Sequence, residues 1–426
     1  MYIGEVMKKR KALISLLYCF AFFYTNVFAG EQTVGVGIHA NRYDLESEQL
    51  LQLIAKSGFN SFRQDLTWDS VEITKGVYTI PPKLKLVDEI IRGAKKYNIS
   101  PLVILDYGNK NYNKGGYPVN EQDITAFANY AKWVASNYKG QVKYYEIWNE
   151  WTVGTGMKGK GDIPPPQIYF ELVKRTSQAI KSVDSSAMIL AGSFNPLSPT
   201  GRRLNISDSD WFMELINEGI LNYIDGISIH PYSFLNANKK LRNPEYNINK
   251  IDQFYNKIKD QNNKKIPFYI TEIGIPTHNG QGGVDPVEAA DYIVKYSLLA
   301  KSKSYIKGVW WYDLSNDGND MNNQEHNFGF YDSTFNPKPA AKAFINLQYF
   351  LNNKKIQKMS IINANNEQQI NIILQDSLTQ KDYTIYWDEK QIEQNGRMPN
   401  FTLKKLSSQN SVDFNQKNLS RDVSVK

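Results

Sequence analysis

The chain has 426 residues, of which 41% are apolar and 22% are charged, so it can bury a large core and is not predominantly disordered. Its net charge is +7, and residues 1–29 contribute +3 of that charge. The remainder is mildly basic and has no dense Lys/Arg run interleaved with aromatic residues, which argues against nucleic acid as a partner.

The first 29 residues have the pattern of a secretory signal peptide. Four basic residues at positions 8–11 precede an apolar run from Ala12 to Tyr24, and Val27-Phe28-Ala29 supplies a cleavage site. This run is shorter than the ~20 residues that a membrane span needs, as is every later apolar stretch. We therefore expect a cleaved signal and a secreted or periplasmic protein without a stable membrane span. An uncleaved signal anchor is the alternative.

Eight short runs rich in β-branched and aromatic residues then alternate with helical patterns. This alternation is typical of βαβ units and predicts an α/β fold, a (β/α)8 TIM barrel over residues 30–352. The predicted strands are Val34–Ala40, Ser61–Leu66, Pro101–Asp106, Lys143–Trp148, Ala187–Gly192, Gly226–His230, Pro267–Thr271 and Gly308–Tyr312.

The segments between these strands carry helix start signals. Asp285 precedes Pro286 and is followed three residues later by Glu288, which is the pattern of a capped helix with proline in its first turn. Asn120 stands before a run whose apolar residues recur at helical spacing, and it suits an N-cap. A last helix is predicted at about Pro339–Phe350.

Beyond the last predicted helix the sequence changes to short alternating runs such as Gln369–Leu374 and Asp382–Trp387. This pattern predicts a small β-sandwich-like domain over residues 353–406. Residues 407–426 contain few apolar side chains and are expected to form a flexible tail.

Glu150 follows the fourth predicted strand between two indoles, Trp148 and Trp151. Active sites of this barrel lie at the carboxyl ends of the strands, so we expect Glu150 to be catalytic and Trp151 to contact the substrate. An apolar setting raises the pKa of a carboxyl group, as a general acid requires. The competing structural interpretation is that Glu150 caps the next helix.

Glu272 ends the seventh predicted strand, which is otherwise apolar. A buried carboxylate needs partners, because burying it alone is costly. Strands four and seven of such a barrel face each other across its mouth, so we predict that Glu150 and Glu272 form a pair. In retaining glycosidases two such carboxyl groups stand about 5–5.5 Å apart, and one attacks the anomeric carbon while the other protonates the leaving group.

Two further strand ends offer partners for Glu272. The Tyr232 hydroxyl could donate a hydrogen bond to it, and Arg63 could hold it ionised by charge. An ion pair of Arg63 with Asp65 or Asp69 is an equally good interpretation.

The ends of the eighth and first predicted strands suggest contacts to a sugar ring. We expect Trp311, or its neighbour Trp310, to form an aromatic floor, although both could instead pack inside the barrel. His39 could touch a sugar hydroxyl or be a satisfied wall histidine.

The sequence gives little support for other catalytic chemistries. Its four histidines are scattered without metal-ligand spacing, so neither a metal nor another cofactor is expected. There is no G-x-S-x-G motif, and the only cysteine, Cys19, lies in the signal peptide.

Four motifs in chain order resemble those of clan A glycoside hydrolases, in which an Asn-Glu pair ends strand four and a second Glu ends strand seven. Together with segments 63–78 and 327–339, they make residues 33–350 similar to glycoside hydrolase family 39 and its bacterial exopolysaccharide-degrading relatives. The motifs are Trp148-Asn149-Glu150, Ile229-His230-Pro231-Tyr232, Thr271-Glu272-Ile273-Gly274 and Trp311-Tyr312-Asp313.

The resemblance implies a role for each matching residue. Glu150 would be the acid/base, Glu272 the nucleophile and Asn149 the ligand of the sugar 2-hydroxyl. His230 and Tyr232 would line the subsite of the reacting sugar. The expected function is therefore retaining hydrolysis of β-glycosidic bonds in an extracellular or capsular polysaccharide, at internal positions. The alternatives are a non-catalytic carbohydrate-binding protein on the same scaffold and an accessory protein associated with a polysaccharide-export system.

Overall fold

The computed structural model describes residues 32–157, 162–198, 206–262, 265–364, 367–388, 402–405 and 411–412. The predicted signal peptide lies outside these residues. Among the helices that are described, none is long and apolar enough to cross a membrane.

Eight parallel strands pair in chain order and close into a barrel, with the first strand beside the eighth. Each predicted strand is present, and its ends lie within three residues of the predicted ones, which confirms the (β/α)8 fold. The strands are β1 (Thr33–Gly37), β2 (Ser61–Asp65), β3 (Ser100–Leu105), β4 (Tyr144–Ile147), β5 (Met188–Phe194), β6 (Gly226–Ile229), β7 (Phe268–Ile273) and β8 (Ile306–Trp311).

The helices pack around the barrel with their apolar faces inward. The two capping predictions are confirmed, because Asn120 accepts a hydrogen bond from the backbone of Asp123 and Asp285 forms a capping box with Glu288. The helices are α1 (Ser47–Lys56), α2 (Trp68–Val71), α3 (Lys85–Gly93), α4 (Glu121–Asn137), α5 (Pro166–Lys181), α6 (Asp208–Asn217), α7 (Pro244–Asn262), α8 (Pro286–Lys301) and α9 (Pro339–Leu351).

The barrel interior is apolar in its lower part and polar at its mouth. Trp310 fills the lower part, together with Tyr144 and Tyr269. Gly35 on β1 makes room for it, since a Cβ atom there would lie 2.1 Å from the Trp310 ring. Every second residue of a barrel strand faces inward, so Glu146 faces the interior one layer above Tyr144 on β4. It meets Arg63 of β2 there, and these two residues begin the polar mouth.

The chain ends in an antiparallel sheet whose strand order is β13-β12-β11-β10-β9. The buried side chains of this sheet, Ile370, Ile372 and Trp387 among them, belong to the same core cluster as the barrel helices. The described strands form one sheet, whereas the sequence predicted a sandwich-like domain, and β13 falls within the range predicted as a tail. The strands are β9 (Lys354–Ala364), β10 (Glu367–Asp376), β11 (Asp382–Asp388), β12 (Thr402–Lys405) and β13 (Ser411–Val412).

Candidate active site

Arg63 lies at the centre of the barrel mouth and makes three short hydrogen bonds. Its Nε donates to Glu146 Oε2 at 2.8 Å, and its Nη1 donates to Glu272 Oε2 at 2.8 Å. Its Nη2 donates to Asn149 Oδ1 at 2.9 Å. Burial alone would lower the pKa of Arg63, but the two glutamates raise it, so this cation is fixed. The sequence left open whether Arg63 pairs with Glu272 or with Asp65 or Asp69, and the hydrogen bond is to Glu272.

Glu146 is the residue that holds Arg63 in place, and the sequence analysis missed it. It is completely buried on β4 and also accepts hydrogen bonds from Ser193 at 2.8 Å and Thr271 at 2.6 Å. Burial would raise its pKa, but Arg63 and the other donors bring the pKa below the ordinary value. Glu146 therefore stays ionised. A charged residue inside an otherwise apolar strand was the available signal.

Glu272 receives one hydrogen bond on each carboxylate oxygen. The Tyr232 hydroxyl donates to Oε1 at 2.8 Å, and Arg63 donates to Oε2. Tyr232 and Arg63 were the two partners predicted for Glu272 from the sequence. The Glu272 side chain is 15% exposed, so it opens onto the mouth of the barrel.

Glu150 stands at the end of β4 in a strained stretch of backbone. Trp148 and Glu150 have φ angles of 66° and 47°, a left-handed conformation that costs a residue other than glycine about 1–3 kcal/mol. Thr155 Oγ1 donates to Glu150 Oε2 at 2.5 Å, and His230 Nδ1 lies 3.3 Å from Oε1. Strain of this kind persists where surrounding contacts hold it, and it is common at active sites.

The expected effect of the two tryptophans on Glu150 is not found. Burial would raise the pKa of Glu150, but the hydrogen bonds from His230 and Thr155 outweigh it and lower the pKa. Trp151 is 0% exposed and packs against Tyr117 beneath the loop. The prediction that Trp151 contacts the substrate is wrong, because its ring lies in a buried aromatic cluster with Tyr117 and Trp148.

The two glutamates face each other with His230 between them. One carboxylate oxygen of Glu150, one of Glu272 and a ring nitrogen of His230 lie within 4.8 Å of one another. The other ring nitrogen of His230 lies 3.1 Å from the Thr271 hydroxyl, which orients the ring. The barrel therefore brings together the two carboxylates that the sequence predicted as a pair.

Asn149 links Arg63 to a tyrosine that the sequence analysis missed. While its Oδ1 accepts from Arg63, its Nδ2 donates to the Tyr107 hydroxyl at 2.8 Å. These two hydrogen bonds fix the orientation of the Asn149 side-chain amide.

The aromatic floor predicted at the end of β8 is absent at Trp311. Trp311 is 1% exposed and packs edge to face against Tyr296 and Phe330, and Trp310 lies inside the barrel. The predicted role of Trp311 in substrate binding is therefore wrong, and barrel packing, the competing interpretation, is right. The next residue, Tyr312, is half-buried and packs edge to face against His39, so it is the aromatic side chain that borders the mouth.

His39 stands at the mouth, two residues after β1. Its Nδ1 hydrogen-bonds Asp317 at 2.8 Å, and Arg42 pairs with the same carboxylate. Burial would lower the pKa of His39, but the nearby carboxylates raise it. A direct contact of His39 with a sugar stays a prediction.

A family model, cellulase (glycosyl hydrolase family 5), matches residues 24–318, which is more than half of the chain. The chain belongs to glycosyl hydrolase family 5. Its membership of clan A, predicted from the strand-end motifs, is thereby confirmed.

Solved structures of other glycoside hydrolases share the fold of this family 5 chain. A family 39 glycoside hydrolase from Bacteroides cellulosilyticus WH2 is 23% identical, with a TM-score of 0.66 over 84% of this chain and 70% of that one. A GH5_18 protein of Streptomyces cattleya in complex with Manβ1-4GlcNAc is 13% identical, with a TM-score of 0.60 over 75% and 80% of the two chains.

Xylanase 10B from Thermotoga petrophila RKU-1, in complex with xylobiose, is 15% identical, with a TM-score of 0.54 over 75% and 94%. No curated protein matches this sequence. Family 5 membership and the shared barrel make the chain a glycoside hydrolase that acts on glycans.

Proposed function

We propose that this family 5 chain hydrolyses β-glycosidic bonds with retention of configuration, with Glu272 as the nucleophile and Glu150 as the acid/base. The observation that carries the proposal is the close approach of the two carboxylates, since one oxygen of Glu150 lies within 4.8 Å of one oxygen of Glu272. Retaining enzymes hold their carboxyl groups about 5–5.5 Å apart, whereas inverting enzymes need about 6.5–9.5 Å to admit a water molecule.

The contacts of each glutamate support its assigned role in the first step. Arg63 and Tyr232 each donate a hydrogen bond to Glu272 and so align its carboxylate, as an attacking group requires. Glu150 has one oxygen held by Thr155 and the other near His230, so its carboxyl group is oriented across the cleft from Glu272. In this step Glu272 forms a bond to the anomeric carbon, and the proton of Glu150 passes to the departing oxygen.

The second step reverses the role of Glu150. Once Glu272 is esterified, its negative charge is gone, and a nearby like charge no longer opposes ionisation of Glu150. The donors Thr155 and His230 further favour the carboxylate. Glu150 then takes a proton from water, which attacks the anomeric carbon and releases the sugar. Neither step calls for a metal.

We further propose that the substrate is an extracellular or capsular polysaccharide with β-linkages, cut at internal positions. The signal-peptide pattern predicted from the sequence supports a location outside the cytoplasm. Two structural neighbours were solved with Manβ1-4GlcNAc and with xylobiose, which supports a β-linked glycan. Association with a polysaccharide-export system is part of the same proposal and rests on the sequence resemblance.

The experiment replaces each glutamate by its amide and measures the release of reducing ends from the polysaccharide of the source organism and from a panel of β-glycans. Glu150→Gln and Glu272→Gln should each reduce kcat by orders of magnitude, because each removes an ionisable group from the reaction. Glu121→Gln, an exposed change on α4, is the matched control and should retain full activity. Wild-type turnover in either active-site variant would refute the assignment of these two glutamates, whereas a wild-type protein that binds a β-glycan and releases no reducing ends would leave carbohydrate binding as the function.

A further inference from the structure

A second cluster of titratable side chains lies at the mouth, where β8 and β1 meet. It consists of His39, which follows β1, and of Asp313 and Asp317, which follow β8. One ligand atom from each of the three lies within 4.8 Å of the others. His39 Nδ1 is 2.8 Å from Asp317 Oδ1 and 3.8 Å from Asp313 Oδ2. The cluster shares no residue with the proposed catalytic pair.

Asp313 is the unusual member of this cluster. Its side chain is 1% exposed, and neither carboxylate oxygen has a hydrogen-bond partner within the part of the chain that the structure describes. A buried carboxylate without a partner is costly, and folded proteins satisfy nearly all buried polar atoms. Because Asp313 Oδ2 faces the imidazole of His39, the missing partner belongs between these two groups.

The spacing of the ligand atoms distinguishes a metal ion from an ammonium group. Bonds from Zn²⁺ to nitrogen or oxygen are about 2.0–2.2 Å long, so two ligands of one ion lie about 3–4 Å apart. An ammonium group makes hydrogen bonds of about 2.9 Å, which places its acceptors about 4.7 Å apart. The 3.8 Å separation of His39 Nδ1 from Asp313 Oδ2 falls in the range for a metal ion, and the 2.8 Å contact of Nδ1 with Asp317 is a hydrogen bond that the ion would replace.

We propose that His39, Asp313 and Asp317 bind one Zn²⁺ ion or a similar first-row divalent ion. One imidazole and two carboxylates suit such an ion, whereas Ca²⁺ prefers six to eight oxygen ligands. Arg42 lies beside the site, because its Nη1 pairs with Oδ2 of Asp317 and is 3.5 Å from His39 Nδ1, while Oδ1 of Asp317 is directed at His39. Three protein ligands leave a further coordination position for water, as in open zinc sites.

The ion would join the two strands between which the barrel closes. β1 and β8 are adjacent in the barrel but belong to opposite ends of the barrel sequence. A ligand that binds the folded chain and not the unfolded one stabilises it by mass action. Zinc is therefore expected to raise the melting temperature of the metal-stripped protein.

The test is isothermal titration of the metal-stripped full chain with ZnCl₂, with thermal unfolding measured in parallel. We expect one strong site in the wild type and at least tenfold weaker binding in Asp313→Asn and in Asp317→Asn. Asp320→Asn makes the same chemical change at an exposed position of the same loop and should bind as the wild type does. Absence of binding to the wild type, or unchanged binding in Asp313→Asn, would overturn the proposal.

A second measurement does not depend on the variants remaining folded. Wild-type crystals soaked in ZnCl₂ should show an anomalous difference peak at the zinc edge among His39, Asp313 and Asp317. A peak confined to Glu150, His230 and Glu272, which form the other group with ligand spacing, would place the ion in the catalytic cleft and contradict the proposal.

Discussion

Thr155 and His230 control the protonation state of Glu150, and this control decides how activity depends on pH. Both donate to its carboxylate and lower its pKa. The first chemical step needs the protonated form, which is lost as pH rises through that pKa. The descending limb of kcat/KM should therefore lie on the acidic side of neutrality.

Thr155→Val tests this assignment. The change removes the hydroxyl that donates to Glu150, so the pKa of Glu150 should rise, and the descending limb of kcat/KM should move to higher pH. Thr155→Ser keeps the donor and should keep the wild-type profile. The measurement is kcat/KM as a function of pH for the three proteins. A limb that stays in place in Thr155→Val would show that another group limits activity.

Tyr312 and Trp311 are adjacent, but their side chains point in opposite directions. Replacing Tyr312 should therefore change substrate binding, whereas replacing Trp311 should change stability. Tyr312→Ala removes the half-buried ring at the mouth, so KM should rise several-fold with little loss of stability. Trp311→Ala should cost about 3–5 kcal/mol of unfolding free energy, because the indole is buried among aromatic rings. Urea unfolding and Michaelis–Menten kinetics separate the two effects. The opposite assignment would make Trp311→Ala the variant with raised KM and normal stability.

The side chains show where sequence reasoning succeeds and where it fails. The proximity of Glu150 and Glu272 was predictable because both residues follow strands that end at the same mouth of the barrel. Trp311 was misjudged because a one-residue shift at a strand end reverses the direction in which a side chain points. The lowered pKa of Glu150 was also beyond the sequence, since it depends on Thr155 and on His230, and His230 comes from a distant strand.

At the level of the strands, the eight barrel segments and the helix caps were predictable because they depend on local patterns. The polar layer above the apolar filling of the barrel was not predictable, because Glu146 appears in the sequence as a single charged residue in a hydrophobic run. Its partners Arg63, Ser193 and Thr271 come from three other strands.

Two glycines of β1 offer a matched test of how the barrel interior is packed. Gly35→Ala places a Cβ atom 2.1 Å from the buried Trp310 ring, so it should destabilise the fold by about 1–3 kcal/mol or more. Gly37→Ala meets no atom closer than 3.5 Å and should be tolerated. Thermal unfolding of the two variants gives the comparison. Equal melting temperatures would contradict the described packing around Trp310.

Over the whole molecule, the C-terminal sheet shares the barrel's core. Trp387 on β11 is buried, and its Nε1 donates to Glu245 on α7 at 2.5 Å. The C-terminal strands were predicted from alternation, which shows that one face of a strand is buried but does not show which element covers it.

Trp387→Ala should therefore lower the stability of the whole chain. We expect a loss of about 3–5 kcal/mol in a single unfolding transition, with kcat unchanged because the sheet packs on α7 and contributes none of the residues described at the active site. Tyr349→Ala removes an aromatic ring that is 79% exposed and should leave stability unchanged. Two separate transitions in calorimetry, with only the weaker one affected by Trp387→Ala, would show that the sheet is an independent domain.

The central claim is that Glu150 and Glu272 act together in a double displacement, and the anomeric configuration of the first product tests it most directly. The ¹H NMR spectrum of a β-linked substrate, recorded during the first minutes of hydrolysis, should show the β-anomer of the released sugar before mutarotation produces the α-anomer. Initial release of the α-anomer would mean a single displacement by water and would contradict the proposed mechanism.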